Sequence, residues 1–373
     1  LAVFAKIIRE RMPGESVPVY LQTKYDVRTT RLYSYAWIVY GFLYIPIQLK
    51  TVSSIIQIVL PGLNLMVAMF IGVTIAVIYT SFSGMKGASA VGRVVCIGIY
   101  VLLICFVFTT LPKFGGFSGL LGELPEKYDS MGNMPTQRIV AWIVGGCIST
   151  AVMQAVLQPL LSAKSPEAAR VGSILGYVIA APICFFTAIC GMLSKASGAD
   201  LGDGSTAFAY AIKTFSSPVF AGIIFAFATM IIAATMATMM LATGTIITNV
   251  YKTEINPDVD DAKVLKLSKT ITFVFAYLTL IPAFLIPSKS LTNLFLTLQH
   301  VAAAPVSFSI LAGLLWKKTT KQGAFWSMLT GMITGVAWML LGLTDIVEAV
   351  YPVVVVTYGV GIIVSLMTYK EKK

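Results

Sequence analysis

The amino-acid sequence predicts an all-α integral membrane protein with ten transmembrane helices. Hydrophobic residues make up 57% of its 373 residues, charged residues only 12%, and the mean hydropathy is +0.85. A soluble chain of this length needs many more polar side chains to cover its surface. Only helices and closed barrels satisfy their backbone hydrogen bonds in lipid, and the apolar runs lack the alternation of barrel strands. We therefore expect helices.

A helix needs about 20 mostly apolar residues to cross the roughly 30 Å hydrocarbon layer of a bilayer. Ten such stretches fill the chain, which we interpret as a single membrane domain covering residues 1–373. The predicted spans are residues 32–59, 64–82, 93–111, 138–161, 171–194, 218–249, 270–287, 291–315, 324–343 and 350–369.

The basic residues predict how these spans are oriented. When the loops are assigned alternately to two sides, one side carries 20 of the 27 Lys and Arg residues and the other carries 6. Basic loops are retained in the cytoplasm during insertion. We therefore expect a multi-pass protein of the cell membrane with both ends of the chain in the cytoplasm. The net charge of +11 then reflects topology, and we expect no nucleic acid as a partner.

The polar residues within the spans exclude several classes of membrane enzyme. All 16 Asp and Glu residues lie outside the ten spans, and the chain has one His. Intramembrane proteases need buried carboxylates or a His/Glu cluster. The five cysteines lack the spacing of a zinc site or a disulfide framework. We expect no enzyme activity and no cofactor, and the sequence does not indicate an oligomeric state.

Lys50 lies deep within the first predicted span. A lysine at this depth costs a few kcal/mol unless it is paired or hydrated, and the ten spans offer no carboxylate. Two interpretations follow. Lys50 either faces an aqueous cavity and meets an anionic substrate, or lies near the opposite interface on a long, tilted helix.

Uncharged polar residues in two other spans are candidates for binding a small solute. One group follows two adjacent glycines, and interrupted helices lend backbone groups to substrates in transporters. The other group precedes a proline. For both groups the alternative is a hydrogen bond between neighbouring helices. The candidates are Ser149, Thr150 and Gln154 after Gly145-Gly146, and Gln299 with His300 before Pro305.

Hydroxyl groups in the span 218–249 are suited to binding a cation. Thr235 and Thr238 share one helical face with Ile231. Hydroxyl and carbonyl oxygens are hard ligands of the kind that an alkali cation prefers. The alternative is that each hydroxyl donates to a carbonyl of its own helix.

Four motifs occur in order along the chain: residues 16–31 (SVPVYLQTKYDVRTTR), 78–88 (IYTSFSGMKGA), 158–170 (QPLLSAKSPEAAR) and 305–324 (PVSFSILAGLLWKKTTKQGA). Together they resemble the solute:sodium symporter family, and the resemblance extends over about residues 5–345. Family members adopt the LeuT-type fold, in which two inverted five-helix repeats are followed by accessory helices.

The resemblance implies a division of the membrane domain. Residues 32–111 would hold core helices three to five, residues 138–315 core helices six to ten, and residues 324–369 two accessory helices. Residues 1–31 are then expected to be a cytoplasmic loop that follows a helix missing from this chain.

The resemblance also implies a sodium site on the eighth core helix. The family uses carbonyls of the broken first core helix, together with a carbonyl and two hydroxyls on the eighth. Here the carbonyl falls on Ile231 and the hydroxyl pair on Ala234 and Thr235, with Thr238 as a further hydroxyl. Ala234 supplies no hydroxyl, and an alignment shifted by two residues leaves none in the pair.

The sequence as a whole predicts a secondary active transporter that couples sodium to the movement of a small polar solute by alternating access. Lys50 indicates an organic anion. The expected partners are the solute, the sodium ion as coupling ion and the lipid bilayer. The alternatives are a symporter-like sensor or regulatory membrane protein, and a transporter that is independent of cations.

The predicted orientation leads to a labelling test. Cysteines introduced within residues 112–137 should react with an impermeant thiol reagent added outside the cell, because that loop is predicted to be extracellular. Cysteines introduced within residues 250–269 should stay unreacted. The reverse labelling pattern would show that the orientation is wrong.

Overall fold

The computed structural model describes residues 3–12, 16–128, 134–201, 204, 206–286 and 291–370. These residues form helices and connecting turns, with no strand among them. In chain order the helices are α1 (Ala5–Arg11), α2 (Val17–Lys24), α3 (Val27–Val59), α4 (Leu65–Thr110), α5 (Gly116–Gly122), α6 (Thr136–Thr150), α7 (Gln154–Leu161), α8 (Pro166–Ala196), α9 (Ala207–Phe215), α10 (Pro218–Glu254), α11 (Asp261–Leu278), α12 (Leu280–Leu285), α13 (Leu291–Leu315), α14 (Lys321–Leu340) and α15 (Val350–Thr368).

Eight helices of the described chain are long and apolar enough to cross a membrane. A ninth span results when α6 and α7, which meet at an angle of 47°, are counted together. The first part of α4, Leu65–Ser81, is apolar but shorter, and one of the eight spans, Gly92–Phe114, begins within the same helix. The all-helical membrane fold is confirmed, and the count of ten spans stays a prediction. The predicted span 270–287 ends at residue 287, which lies outside the described residues.

The long helices begin where their sequences supply a cap. The Asp26 side chain accepts a hydrogen bond of 2.8 Å from the Thr29 N–H at the start of α3. Ser165 caps α8 and Ser217 caps α10 in the same way. A proline follows each of these two serines, at a position where a helix needs no N–H donor.

The structure differs from the prediction within α4. The spans predicted at residues 64–82 and 93–111 imply a loop between them, but the helical backbone continues from Leu65 to Thr110. The chain contains no proline between Pro61 and Pro112. The intervening glycines lower helix propensity without blocking the ladder of backbone hydrogen bonds, so nothing in the sequence forces the helix to end.

Contacts join loops that the basic residues assign to the same side. On one face Arg31 bonds to Glu254 at 2.8 Å, and Lys6 pairs with Glu167 at 3.7 Å. On the opposite face Arg138 pairs with Glu348 at 3.0 Å. The loops therefore converge as two separate groups. Which group faces the cytoplasm stays a prediction.

The helix α10 packs against α3, α4 and α11. The helix α3 also carries a row of neighbouring, buried aromatic side chains. The ring centroids of Tyr33 and Trp37 lie 5.8 Å apart, those of Trp37 and Tyr40 4.9 Å, and those of Tyr40 and Tyr44 5.5 Å. These four residues recur every three or four positions, which places them on one helical face.

The crossing of α4 and α10 depends on a glycine. A Cβ at Gly98 would overlap the ring of Phe227, whereas a Cβ at Gly92, on the same helix, would meet no atom within 4 Å. Gly98→Ala should therefore lower the thermal denaturation midpoint in detergent, since overpacking typically costs about 1–3 kcal/mol. Gly92→Ala is the matched control and should leave the midpoint unchanged or slightly raised, since alanine favours a helix. Equal midpoints for the two variants would contradict this packing.

Candidate functional site

A cavity of about 410 Å³ lies beside α10. It is bordered by α3, α4, α8 and the junction of α6 with α7. All four residues expected to hold a cation, Ile231, Ala234, Thr235 and Thr238, line this cavity. The helical face selected from the sequence is thus the face that meets open space.

Both threonine hydroxyls on this face donate to their own helix. Thr235 Oγ1 lies 3.1 Å from the Ile231 carbonyl oxygen, and Thr238 Oγ1 lies 2.9 Å from the Ala234 carbonyl oxygen. The alternative to cation binding, a hydrogen bond from each hydroxyl to its own helix, is therefore present. A hydroxyl has one proton and two lone pairs, so donating to a carbonyl leaves its oxygen able to accept or to coordinate. Back-bonding and cation binding do not exclude each other at these residues.

The opposite wall of the cavity is formed by the interruption between α6 and α7. Residues 151–153 separate the two helices, and Met153, Ala155 and Val156 border the cavity. Met153 stands at the N-cap position of α7 but makes no capping bond with its side chain. The first N–H groups of a helix carry the positive end of its dipole, so this wall favours electron-rich atoms.

Two tyrosines border the cavity without having been singled out from the sequence. Tyr44 Oη accepts a hydrogen bond of 3.0 Å from Gln48 Nε2. Tyr100 Oη is buried and has no hydrogen-bond partner among the described residues. Gly92, Cys96 and Tyr100 recur every four positions and all line the cavity. That spacing is the sequence signal that could have identified Tyr100.

The cavity lacks charged groups. Of the described residues that line it, none carries a formal charge. A cation in this space would be held by the dipoles of hydroxyl and carbonyl groups, without a carboxylate to neutralise it.

A second cavity of about 260 Å³ shares Ile183 and Ile231 with the first. It is also bordered by Thr51 and Ser54 of α3. Lys50 is 6% exposed and precedes Ser54 by one helical turn. It is not among the described residues lining either cavity.

The structure brings together three of the residues expected to bind a solute. Ser149 Oγ donates to the Gln299 carbonyl oxygen at 3.2 Å, and both residues are buried. His300 is 1% exposed, and its ring lies so close to Gly145 that a Cβ there would overlap it. The residues Gln299–Ala303 form a turn of π-helix, an irregularity that often marks functional sites. Two interrupted helices, α6 and α13, therefore meet at these side chains.

The other two candidates on α6 and α7 have different contacts. Thr150 Oγ1 donates to the Gly146 carbonyl of its own helix. Gln154 is fully buried, and its Oε1 accepts a hydrogen bond of 2.8 Å from the Val17 N–H of α2. Gln154 Nε2 has no partner among the described residues. The side-chain amide of Gln154 therefore bonds to α2 through its oxygen, and its NH2 group remains able to donate.

Comparison with known proteins bears on the family and the fold of the chain. The profile of a family described as "Sodium:solute symporter family" matches residues 1–331. The chain is 25% identical over 304 residues to "Uncharacterized symporter YodF" of Bacillus subtilis, which covers 78% of this chain and 60% of that protein. It is 25% identical over 355 residues to "Sodium/glucose cotransporter" of Vibrio parahaemolyticus, with coverage of 83% and 63%. The chain therefore spans about three fifths of the length of these relatives.

A solved structure shows the same fold. It is titled "Substrate-bound outward-open state of a Na+-coupled sialic acid symporter reveals a novel Na+-site". Its TM-score with this chain is 0.75 at 16% sequence identity, over 96% of this chain and 78% of that one. Likeness at this level establishes the fold, and the family profile covers most of the chain. This chain belongs to the sodium:solute symporter family.

Proposed function

We propose that the protein is a secondary active transporter that couples sodium to the movement of a small polar solute by alternating access. The observation that supports this function best is the shared cavity: the threonine face of α10 and the interruption between α6 and α7 border the same space. The residues expected to bind the solute do not line this cavity themselves, but Ser149 and Gln154 lie close to the interruption on either side. An ion on α10 and a solute beside the interruption would then be coupled through residues 151–153.

We assign the coupling ion to Thr235, Thr238 and the carbonyl of Ile231, with Tyr100 Oη as a further oxygen ligand. Ala234 borders the site through its methyl group. Because no formal charge lies among the described lining residues, the dipoles alone must replace the hydration of the ion. Weak sodium binding is the expected consequence.

The solute in this proposal is a small organic anion. Ser149, Gln299 and His300 supply uncharged hydrogen-bonding groups where α6 meets α13, with Thr150 on the same helix. Gln154 Nε2, at the start of α7, is a further donor without a partner among the described residues. The uncapped start of α7 presents the positive end of a helix dipole. We assign the carboxylate to Lys50, which is buried on α3 one helical turn before Ser54 of the second cavity.

The similar proteins carry different solutes in their names, one a sugar and one an acid. Those names do not choose between a neutral and an anionic solute for this chain. The lysine and the helix dipole, both favouring negative charge, are what support the anion.

One observation favours a second function, that of a symporter-like sensor or of a transporter independent of cations. Ala234 lacks a hydroxyl, and the hydroxyls of Thr235 and Thr238 are already engaged with their own helix. A site this poor in ligands could have lost sodium. Dependence of uptake on sodium decides between the two functions.

The proposal includes the location of the protein and the division of its chain. We place the protein in the cell membrane with both ends of this chain in the cytoplasm. Residues 32–111 and 138–315 then correspond to core helices three to ten, and residues 324–369 to accessory helices. The grouping of basic loops on one face supports this orientation.

Replacing Thr235 tests the ion site. In the full-length protein in liposomes, Thr235→Ala should raise the sodium concentration that gives half-maximal uptake, because one of few oxygen ligands is removed. The matched control is Thr245→Ala: Thr245 also donates to a carbonyl of its own helix, at 2.8 Å, but is not among the described residues lining the cavity. Uptake that is equal in sodium and in choline would exclude sodium coupling.

Replacing Lys50 tests the charge of the solute. A carboxylate bonded to Lys50 should contribute about 1.5–3 kcal/mol as a charge-assisted hydrogen bond. Lys50→Gln should then weaken solute binding by roughly tenfold to a hundredfold, at about 1.4 kcal/mol per decade. Lys213→Gln removes an exposed lysine on α9 that bonds to Ile58, and should leave binding unchanged. Wild-type affinity in Lys50→Gln, or a neutral sugar as the solute, would show that this assignment is wrong.

A further inference from the structure

The helices α1 and α2 lie across the ends of two interrupted helices. Arg9 Nε donates to the Ala163 carbonyl, just beyond the end of α7, at 3.1 Å. Arg11 Nη1 donates to the Leu314 carbonyl, at the end of α13, at 2.9 Å. The last carbonyls of a helix lack partners within it and carry the negative end of its dipole. Each arginine therefore fastens α1 to one helix terminus.

The helix α2 is attached to the same two helices. Its first N–H, that of Val17, donates to Oε1 of Gln154, the first residue of α7. Tyr25, the residue after α2, donates from its hydroxyl to the Ser309 carbonyl of α13 at 2.8 Å. Burial raises the pKa of Tyr25 well above its ordinary value, so this hydroxyl keeps its proton.

A glycine allows this close approach. At Gly313 of α13 a Cβ would overlap the hydroxyl of Tyr25 and lie within 2.6 Å of the hydroxyl of Tyr20. The hydroxyls of both tyrosines therefore pack directly against the backbone of α13 at Gly313. The residues 5–12 and 16–25 thus hold α7 at both of its ends and α13 along its last turns.

The attachment reaches the wall of the candidate site. The neighbours of Gln154 in the chain border the cavity that Thr235 lines. They are Met153, Ala155 and Val156. A shift of α7 away from α2 would move this wall. Because α7 is separated from α6 by the interruption at residues 151–153, it can move without carrying α6 with it.

We propose that the residues 5–12 and 16–25 form a strap that keeps the cavity closed towards the face on which α1 and α2 lie. Arg9, Arg11 and Gln154 are its positioning residues: they hold α7 and α13 together and act on the ion and solute through the cavity wall. Release of the strap opens the cavity to that face. This inference rests on the proposed transport by alternating access, in which such a face must open.

A native thiol reports on the opening, because Cys96 lines the cavity. In the full-length protein with every other cysteine replaced by alanine, a charged, impermeant methanethiosulfonate reagent is added at the strap face of liposomes. The rate of Cys96 modification is read by mass spectrometry. The variants Arg11→Gln and Val17→Pro each remove one attachment. Proline is tolerated at the first position of a helix and has no N–H to donate to Gln154.

Both variants should accelerate the modification of Cys96 roughly tenfold, as the open state gains population by that factor. Two matched controls should react at the rate of the parent protein. Val17→Ala keeps the backbone donor and loses only side-chain packing. Lys6→Gln removes an exposed α1 residue whose 3.7 Å ion pair with Glu167 does not reach α7 or α13.

Unchanged reactivity in both Arg11→Gln and Val17→Pro, with hydrogen exchange showing that the helices remain folded, would overturn the strap. Equal acceleration by Val17→Ala would also overturn it, since packing alone would then explain the effect. Sodium tests the proposed function separately in the parent protein. If sodium leaves the rate of Cys96 modification unchanged, sodium coupling is contradicted while the comparison of strap variants stands.

Discussion

In a hydrocarbon layer a backbone N–H or C=O without a partner costs several kcal/mol, and most features of this protein depend on that constraint. Interruptions of a spanning helix are tolerated where they are buried in protein or line a cavity. The interruption between α6 and α7 meets this condition because residues 151–153 are all buried. The π-helical turn of α13 meets it as well, since Gln299 and His300 are buried. The bond from Ser149 to the Gln299 carbonyl joins the two irregular segments inside the bundle.

The same constraint explains how polar groups are distributed through the molecule. The ion pairs with the shortest distances lie at the two ends of the bundle, where Arg31 meets Glu254 and Arg138 meets Glu348. Between those ends the cavity presents threonine and tyrosine hydroxyls. A hydroxyl that bonds to its own helix costs little to bury while its lone pairs remain available. The cavity can therefore exist in an apolar bundle without a permanently buried carboxylate.

The interruptions also leave short helix segments that can change position. A short helix such as α7, with eight residues, cannot hold its position through its own hydrogen bonds. Its position depends on contacts at both ends, which come from α2 at Gln154 and from Arg9 beyond its C-terminus. Together with the packing of α7 against α10 and α8, those contacts determine how firmly this wall of the cavity is held. In a transporter this is where a change between two states can occur with few broken bonds.

Much of the fold followed from the sequence because it depends on local rules. Hydropathy predicted the membrane helices, and the basic residues predicted which loops lie together. The helical period placed Thr235 and Thr238 on one face with Ile231, and that face does border the cavity. The loop expected between the spans 64–82 and 93–111 was wrong, because no proline breaks the backbone there and the helix continues.

The sequence by itself determined which side chains share a helical face, because the period of the helix is a property of a few consecutive residues. It could not determine which faces meet. Gln154 was expected beside a solute, but its side-chain oxygen accepts a hydrogen bond from Val17 of α2, 137 positions away in the chain. Ser149 meets the Gln299 carbonyl across 150 positions. Only tertiary packing decides such pairings, because the helices that touch are chosen by how the whole bundle satisfies its volume and its buried polar groups.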